Sequence, residues 1–228
     1  MQWRKTKQAA HSATGENTAS KRWCDAGNRG EDARDSESMK NVHADFRRAV
    51  QLLERGQADQ ALRLADSLTS SMDERHRLDG YMCRGMIFEE GGSDLCVDLD
   101  KALDSYRRAS LIAPNSITFT SLARVSLKRR AYAESLRFLQ IAADHELTPE
   151  VLLGFAQYSE ESVPMDASKA KSYYLRAALK GRFSGFFGYS RMSRKMGQPV
   201  RAALVDALRI IAGPLIALAI GARARYQF

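Results

Sequence analysis

A helical segment that starts with a small residue recurs along the chain at nearly regular intervals, and this feature constrains the fold more than any other. Successive small residues are separated by 41, 33, 35 and 32 residues. Seven positions after them, four of the five segments carry another small or apolar residue, as expected for one face of an amphipathic helix. Such self-similarity indicates a repeat architecture. The five aligned residues are Ala61, Ala102, Ser135, Ala170 and Ala202.

A second amphipathic helix precedes each of these segments, so each unit is predicted to be a helical hairpin. One hairpin cannot cover its own apolar faces, and stacked hairpins bury those faces against one another. Small residues at the crossing points let the two helices of a hairpin approach closely. From residue 42 onward no alternating strand pattern occurs. We therefore predict an all-α fold, a right-handed α-solenoid of about five helix-turn-helix repeats over residues 41–212.

Residues 80–109 combine a small residue, an aromatic residue one turn later, a Gly-rich loop and the pattern D-x-x-K-A-x-x-x-Y-x-x-A. This segment resembles a Sel-one-like repeat, a relative of the tetratricopeptide repeat (TPR) with a longer hairpin loop. Residues 154–181 resemble it again, and residues 49–61 have the spacing of a TPR with Gly56 in the tight turn. The matching residues are Gly85, Phe88, Gly91, Gly92, Asp98, Lys101, Ala102, Tyr106 and Ala109, and then Gly154, Tyr158, Val163, Asp166, Lys169, Ala170, Tyr174 and Ala177.

The resemblance implies a non-enzymatic scaffold or adaptor. Sel-one-like proteins are similar in serving as adaptors, often in bacterial envelope, secretion or exopolysaccharide assembly systems. The first helices of successive hairpins are expected to line a concave groove that binds an extended peptide or a helix of a protein partner. Each candidate contact, the apolar ones above all, is also compatible with a place in the core. By resemblance to TPR groove positions, the candidates are Phe46, Met86, Glu89, Arg124, Lys128, Phe155 and Tyr158.

The positive charge of the chain is concentrated at its C-terminal end. Of the formal net charge of +8, residues 1–40 contribute +2, residues 41–181 contribute −1 and residues 182–228 contribute +7. A uniformly basic nucleic-acid-binding domain is therefore disfavoured, and we predict no nucleic-acid partner. Residues 1–40 hold almost no Leu, Ile, Val or Phe, so they cannot bury enough apolar surface to offset their ordering entropy. We predict that this polar arm is disordered.

The start of the sequence has basic residues but no apolar stretch behind them, which is not the form of a secretory signal. The three cysteines, Cys24, Cys83 and Cys96, are too sparse for a disulfide framework and fit a reducing compartment. We expect a cytoplasmic protein, and the alternative is a peripheral position at the inner membrane.

The most apolar stretch of the chain is at residues 202–222, where Asp206 and Arg209 interrupt the first half and Gly213–Pro214 the middle. Residues 213–228 are therefore predicted to be a hydrophobic and basic tail. It could close the last repeat, dip into a bilayer beside anionic head groups or dock on another protein. The second possibility makes a peripheral membrane protein the alternative to the scaffold. The residues concerned are Ile210, Ile211, Leu215, Ile216, Leu218, Ile220, Arg223 and Arg225.

Sequence patterns for catalysis and metal binding are absent. The four histidines show no paired-ligand spacing, and there is no Gly-x-Ser-x-Gly elbow. The carboxylate pairs Glu89–Glu90 and Glu160–Glu161 fall near predicted loops, where we expect them to be solvated. We predict no enzymatic activity, no cofactor, no metal and no small-molecule substrate.

Overall fold

The computed structural model describes residues 44–220 and, within them, the side chains of residues 44–208 and of Ile210. This part of the chain forms ten α-helices joined by loops and turns and contains no strand. The arm predicted to be disordered at residues 1–40 lies outside the described residues. The helices are α1 (44–54), α2 (Ala58–Thr69), α3 (Glu74–Glu90), α4 (Leu99–Ile112), α5 (Ser116–Lys128), α6 (Tyr132–His145), α7 (Pro149–Glu161), α8 (Ala167–Leu179), α9 (Ser184–Lys195) and α10 (Pro199–Ile220).

Capping side chains determine where several helices begin. Asp98 accepts a hydrogen bond from the backbone N–H of Lys101 at 3.0 Å, and Asp166 accepts one from that of Lys169 at 2.9 Å. These are the Asp and Lys residues of the repeated D-x-x-K-A pattern. Each Asp supplies an acceptor that the first helical turn lacks, which stabilises the helix start by about 1 kcal/mol. The pattern therefore fixes where α4 and α8 begin after the two long hairpin loops.

The turn between α1 and α2 has a left-handed residue, as predicted from the TPR-like spacing. Gly56 has a φ of +75° there, a conformation that costs glycine little because it has no Cβ. Arg130 adopts a φ of +60° in the corresponding turn between α5 and α6. The α5–α6 unit keeps the turn geometry without glycine, which explains why its sequence matches the repeat pattern less well.

The helices pack as successive pairs. The pairs α3 with α4, α5 with α6, α7 with α8, and α9 with α10 pack together, and α4 packs on α5 as α8 packs on α9. The first helices α5 and α7 also contact each other directly. In the first pair, Ala49 of α1 shares a buried cluster with Ala58 and Ala61 of α2 and Ile87 of α3. Over the described residues, the predicted fold class is confirmed as a TPR-like α-solenoid of helix-turn-helix pairs.

Small residues lie at the helix crossings, as the repeat pattern predicts. A methyl group added at Gly85 on α3 would lie 2.4 Å from Cε1 of Tyr106 on α4. One added at Gly188 on α9 would lie 2.3 Å from Cδ1 of Tyr174 on α8. These distances are shorter than any van der Waals contact, so both tyrosine rings pack directly on glycine backbone. The five aligned small residues are fully buried: Ala61, Ala102, Ser135, Ala170 and Ala202.

The last helix, α10, is 22 residues long and continues through Gly213–Pro214. The helical backbone therefore runs across residue 212, where the predicted solenoid ends and the predicted tail begins. Pro214 has a helix-compatible φ, but it removes one N–H donor and its ring crowds the carbonyl of Ile210, so it disfavours the helix by about 3 kcal/mol without ending it. Within the described part of the chain, no helix has the length and apolarity needed to cross a membrane.

Candidate functional site

The candidate site is the surface formed by the first helices of the hairpins, α3, α5, α7 and α9, which we call the first-helix face. Two clusters of charged side chains lie on it, one formed around Glu89 and the other around Glu160. In each cluster a carboxylate near the C-terminal end of one first helix meets an Arg and a Lys that are one turn apart on the next first helix. Because consecutive hairpins contribute to each cluster, only the stacking of repeats assembles it.

The Glu89 cluster contains Glu89, Tyr106, Arg124 and Lys128. The guanidinium of Arg124 binds Glu89 through two bonds, from Nε to Oε1 and from Nη2 to Oε2, both 2.7 Å long. The Nζ of Lys128 lies 2.8 Å from Oε1 of the same carboxylate. The hydroxyl of Tyr106 donates to Oε2 at 3.0 Å and accepts from Nη2 of Arg124 at 3.1 Å. Four donors therefore converge on one carboxylate.

The electrostatics of this cluster keep Glu89 ionised. Burial by itself raises the pKa of Glu89, but the hydrogen bonds and charges of Arg124 and Lys128 outweigh it, and the pKa of Glu89 is lowered. Burial raises the pKa of Tyr106, so this hydroxyl stays protonated. The side chain of Glu89 is 3% exposed, whereas those of Arg124 and Lys128 are 43% and 45% exposed. The anion is thus sealed inside while both cations reach solvent.

The Glu160 cluster contains Glu160, Tyr174, Arg191 and Lys195 and repeats this arrangement about two repeat lengths later in the chain. Arg191 donates from Nε to Oε1 of Glu160 at 2.9 Å and from Nη2 to Oε2 at 2.5 Å. Lys195 Nζ donates to Oε1 at 3.0 Å, and the hydroxyl of Tyr174 donates to Oε2 at 2.8 Å. Burial opposes ionisation of Glu160, but these donors prevail and lower its pKa to about 2.

The two clusters lie on helices that contact each other, because α5 of the Glu89 cluster packs on α7 of the Glu160 cluster. Burial and the neighbouring Glu160 raise the pKa of Glu161, while the charges of Arg191 and Lys128 lower it by smaller amounts. The Glu161 carboxylate is therefore within electrostatic range of a cation from each cluster. From one first helix to the next, the charged side chains of these clusters alternate in sign: negative on α3, positive on α5, negative on α7 and positive on α9.

The apolar residues predicted to line the groove lie at the edge of the core. Phe46 and Met86 are partly buried against two core clusters. Phe155 stacks on Tyr173 with ring centroids 5.3 Å apart. Tyr158 borders an open depression of about 600 Å³ whose lining includes Pro164. The structure therefore brings Glu89, Arg124 and Lys128 together, whereas Phe46, Met86, Phe155 and Tyr158 each have other contacts.

The predicted tail residues are described in part. Ile210 is exposed on α10. The backbone of the next five is helical, and nothing is described of their side chains; Arg223 and Arg225 lie outside the described residues. The five are Ile211, Leu215, Ile216, Leu218 and Ile220.

The expectation that both carboxylate pairs are solvated is wrong for Glu89 and Glu160. Each lies in the last turn of a first helix rather than in a loop, and the next first helix brings an Arg and a Lys onto it. The prediction missed Glu160, Arg191 and Lys195 as site residues. The signal that could have found them is the shared pattern R-x-S-x-K, which occurs at 124–128 and at 191–195. In the part of the chain that the structure describes, no three His, Cys, Asp or Glu side chains are grouped as a metal site requires.

Comparisons with known proteins bear on the fold. No protein-family model matches the chain, and no curated protein matches it. The solved structure of MamA 41-end from Desulfovibrio magneticus RS-1 is similar, with a TM-score of 0.51 and 13% identity over 73% of this chain and 91% of that chain. A MamA RS-1 double mutant gives a TM-score of 0.51 and 14% identity over 73% of this chain and 90% of that chain. At these identities the similarity supports the TPR-like helical-repeat fold alone.

Proposed function

We propose that this protein is a non-enzymatic scaffold that binds a peptide or a helix of a protein partner along the first-helix face. The observation that carries the proposal is the set of four cations, Arg124, Lys128, Arg191 and Lys195, which are each about half exposed and held by the buried carboxylate of Glu89 or the partly buried carboxylate of Glu160. Side chains that are already ordered lose less conformational entropy when they bind a ligand. The first-helix face therefore offers preorganised hydrogen-bond donors.

The charge balance of the two clusters indicates which partner they favour. Each cluster has two cations and one carboxylate, so each carries an excess positive charge, and the cations are the exposed members. Glu161 offsets part of this excess between the clusters. Guanidinium and ammonium groups bind carboxylates through strong charge-assisted hydrogen bonds. We infer that the partner segment carries Asp or Glu side chains that reach both clusters.

Helix α7 lies between the two clusters and supplies an apolar element. Tyr158 lies one turn before Glu161 on this helix and is partly exposed. An aromatic side chain with an apolar ring and a polar hydroxyl is well suited to a protein interface. We infer that the partner segment places an apolar side chain between its acidic ones, in line with the original prediction of Tyr158 as a groove residue.

The cellular setting is a further part of this proposal. The Sel-one-like resemblance supports an adaptor on the cytoplasmic side of a bacterial envelope, secretion or exopolysaccharide assembly system. Fusing the chain to a reporter that fluoresces only in the cytoplasm tests this placement. Fluorescence is expected, and its absence with a stable, full-length fusion would contradict the placement.

A peptide-display experiment tests the binding proposal. The full chain is immobilised and used to select from a random peptide library, and the affinity of the best peptide is then measured by fluorescence anisotropy. We expect the selected peptides to be rich in Asp and Glu. Replacing Lys128 and Lys195 together by Ala is expected to weaken binding by about tenfold or more, because each lost charge-assisted contact contributes about 1 kcal/mol.

The matched control replaces two exposed cations on second helices, Arg63 and Arg108, by Ala. Both make exposed ion pairs with an Asp four residues earlier, so the control removes the same charge away from the first-helix face. Unchanged affinity is expected for this control. The proposal fails if no peptide is enriched, or if the two double variants weaken binding equally.

A further inference from the structure

Over residues 199–208, the solvent-facing side of α10 is apolar, the reverse of a normal surface helix. Val200, Leu204 and Leu208, which we call the α10 stripe, follow one another at four-residue spacing and are 71%, 66% and 58% exposed. Ala203 and Ala207 beside them are exposed as well. Large apolar side chains aligned on one exposed helix face indicate an interaction surface.

The side of α10 that packs on α9 carries an acidic side chain, Asp206. Asp206 accepts a hydrogen bond from the hydroxyl of Ser190 at 2.9 Å and forms an ion pair with Arg194. Ala202, one turn earlier, is fully buried on the same side. The helix therefore turns Asp206 inward, where partners satisfy it, and Leu204 and Leu208 outward. The apolar side chains of the α10 stripe therefore point away from the rest of the solenoid.

A stacking surface for a further repeat would not account for the α10 stripe. When α10 is aligned with α8 at Ala202 and Ala170, the residues of α8 that contact α9, such as Tyr174 and Ala178, correspond to Asp206 and Ile210. The α10 stripe corresponds instead to positions of the other second helices that are exposed, apart from the half-buried Ile141 of α6, and that are polar in α2, α4 and α8. Those positions are Asp59, Arg63 and Ser67 in α2, Asp100, Asp104 and Arg108 in α4, Ala133, Arg137 and Ile141 in α6, and Ser168, Ser172 and Arg176 in α8.

The charge around the α10 stripe selects among possible occupants. Arg201 is exposed next to the stripe. Residues 182–228 carry 8 basic residues and 1 acidic residue. A second copy of the chain would bring two positively charged surfaces together, whereas anionic head groups would neutralise this charge.

We propose that the α10 stripe binds the surface of an anionic lipid membrane, with its three apolar side chains in the interface and Arg201 beside them against the head groups. This inference rests on α10 and is independent of peptide binding by the first-helix face. Apolar side chains supply the insertion energy, and basic residues add electrostatic attraction that salt weakens.

Vesicle sedimentation of the full chain tests this inference. The probes are vesicles of phosphatidylcholine with phosphatidylglycerol and vesicles of phosphatidylcholine alone. We expect binding to the vesicles that contain phosphatidylglycerol and at least about tenfold weaker binding to vesicles of phosphatidylcholine alone. At high salt, the two affinities should become equal. The triple variant Val200→Ser, Leu204→Ser, Leu208→Ser is expected to bind the anionic vesicles about 100-fold more weakly, because three apolar side chains no longer enter the interface.

The matched control is Leu111→Ser, Ile117→Ser, Leu179→Ser, which removes three exposed apolar side chains from other helices. It should bind like the wild type. Circular dichroism checks that both triple variants are folded. A second measurement does not depend on the triple variant: Leu204→Trp should shift its tryptophan emission to the blue when anionic vesicles are added, and Leu111→Trp should not.

Three results would overturn the proposal. The first is absence of vesicle binding by the wild-type chain. The second is vesicle binding that the triple serine variant retains. The third is a wild-type dimer in sedimentation velocity that becomes monomeric in the triple variant, which would assign the α10 stripe to a second copy of the chain.

Discussion

Replacing Glu89 by Gln tests whether the Glu89 cluster holds consecutive repeats together. Glutamine keeps the shape of the side chain but turns one acceptor oxygen into an N–H donor. If the amide nitrogen takes the place of Oε1, Nε of Arg124 and Lys128 lose their acceptor. If it takes the place of Oε2, Nη2 of Arg124 loses its acceptor, and the hydroxyl of Tyr106 must turn. Either orientation breaks charge-assisted bonds.

The expected cost follows from exposure. Removing one partner of a fully buried ion pair costs about 3–5 kcal/mol, because a charge stays buried without a partner. Here the side chains of Arg124 and Lys128 are 43% and 45% exposed, so they can turn toward water. We therefore expect the lower cost of the lost hydrogen bonds, about 2 kcal/mol. For a domain of this size, that lowers Tm by roughly 4–8 °C.

Thermal unfolding followed by far-ultraviolet circular dichroism measures the effect, with Asp104→Asn as the matched control. Asp104 pairs with Arg108, and the two side chains are 62% and 57% exposed, so the control should change stability by about 0.5 kcal/mol or less. Equal Tm shifts for the two variants would show that burial adds nothing to the Glu89 cluster. The interpretation of that cluster as an inter-repeat contact would then be wrong.

Three more predictions follow from individual contacts. Gly188→Ala should lower Tm by several degrees, because the added Cβ meets the ring of Tyr174 at 2.3 Å; Ser184→Ala, at an exposed position of the same helix, should leave Tm nearly unchanged. The pKa of Glu160 is lowered from 4.5 to about 2, so its stabilising effect is complete above its ordinary pKa and is lost as pH falls toward 2. The Tm difference between wild type and Glu160→Gln, present at pH 7, should therefore disappear near pH 2, and a difference that persists there would refute the assignment. Asn115→Ala should cost about 1 kcal/mol in a denaturant titration, because it removes the capping box at the start of α5; an unchanged midpoint would contradict this.

The sequence predicts which residues of the site share one side of a helix. Once the repeats are aligned, Arg124 and Lys128 fall one turn apart on a first helix, and the structure places both on the first-helix face. The sequence does not show that Glu89 is buried beneath them. A Glu near a Gly-rich loop resembles a solvated residue, and its burial depends on a hydroxyl 17 residues away and an Arg 35 residues away.

For the α10 stripe too, the sequence predicts one part and only the structure shows the other. The sequence shows that the C-terminal end is apolar and basic, and this left three interpretations open. Which side of α10 packs on α9 depends on the contacts of Asp206 with Ser190 and Arg194. Once those contacts are known, the outward direction of Val200, Leu204 and Leu208 follows from helix geometry.

The amino-acid sequence alone determined the all-α class, the two helices per unit and the buried small residues of each repeat. These properties are local, because they arise from hydrophobic periodicity, caps and glycine turns within a few residues of one another. The tertiary structure decided which charges meet. Ion pairs form between consecutive hairpins, and their geometry depends on how one helix crosses the next. No periodicity within a single helix encodes that crossing.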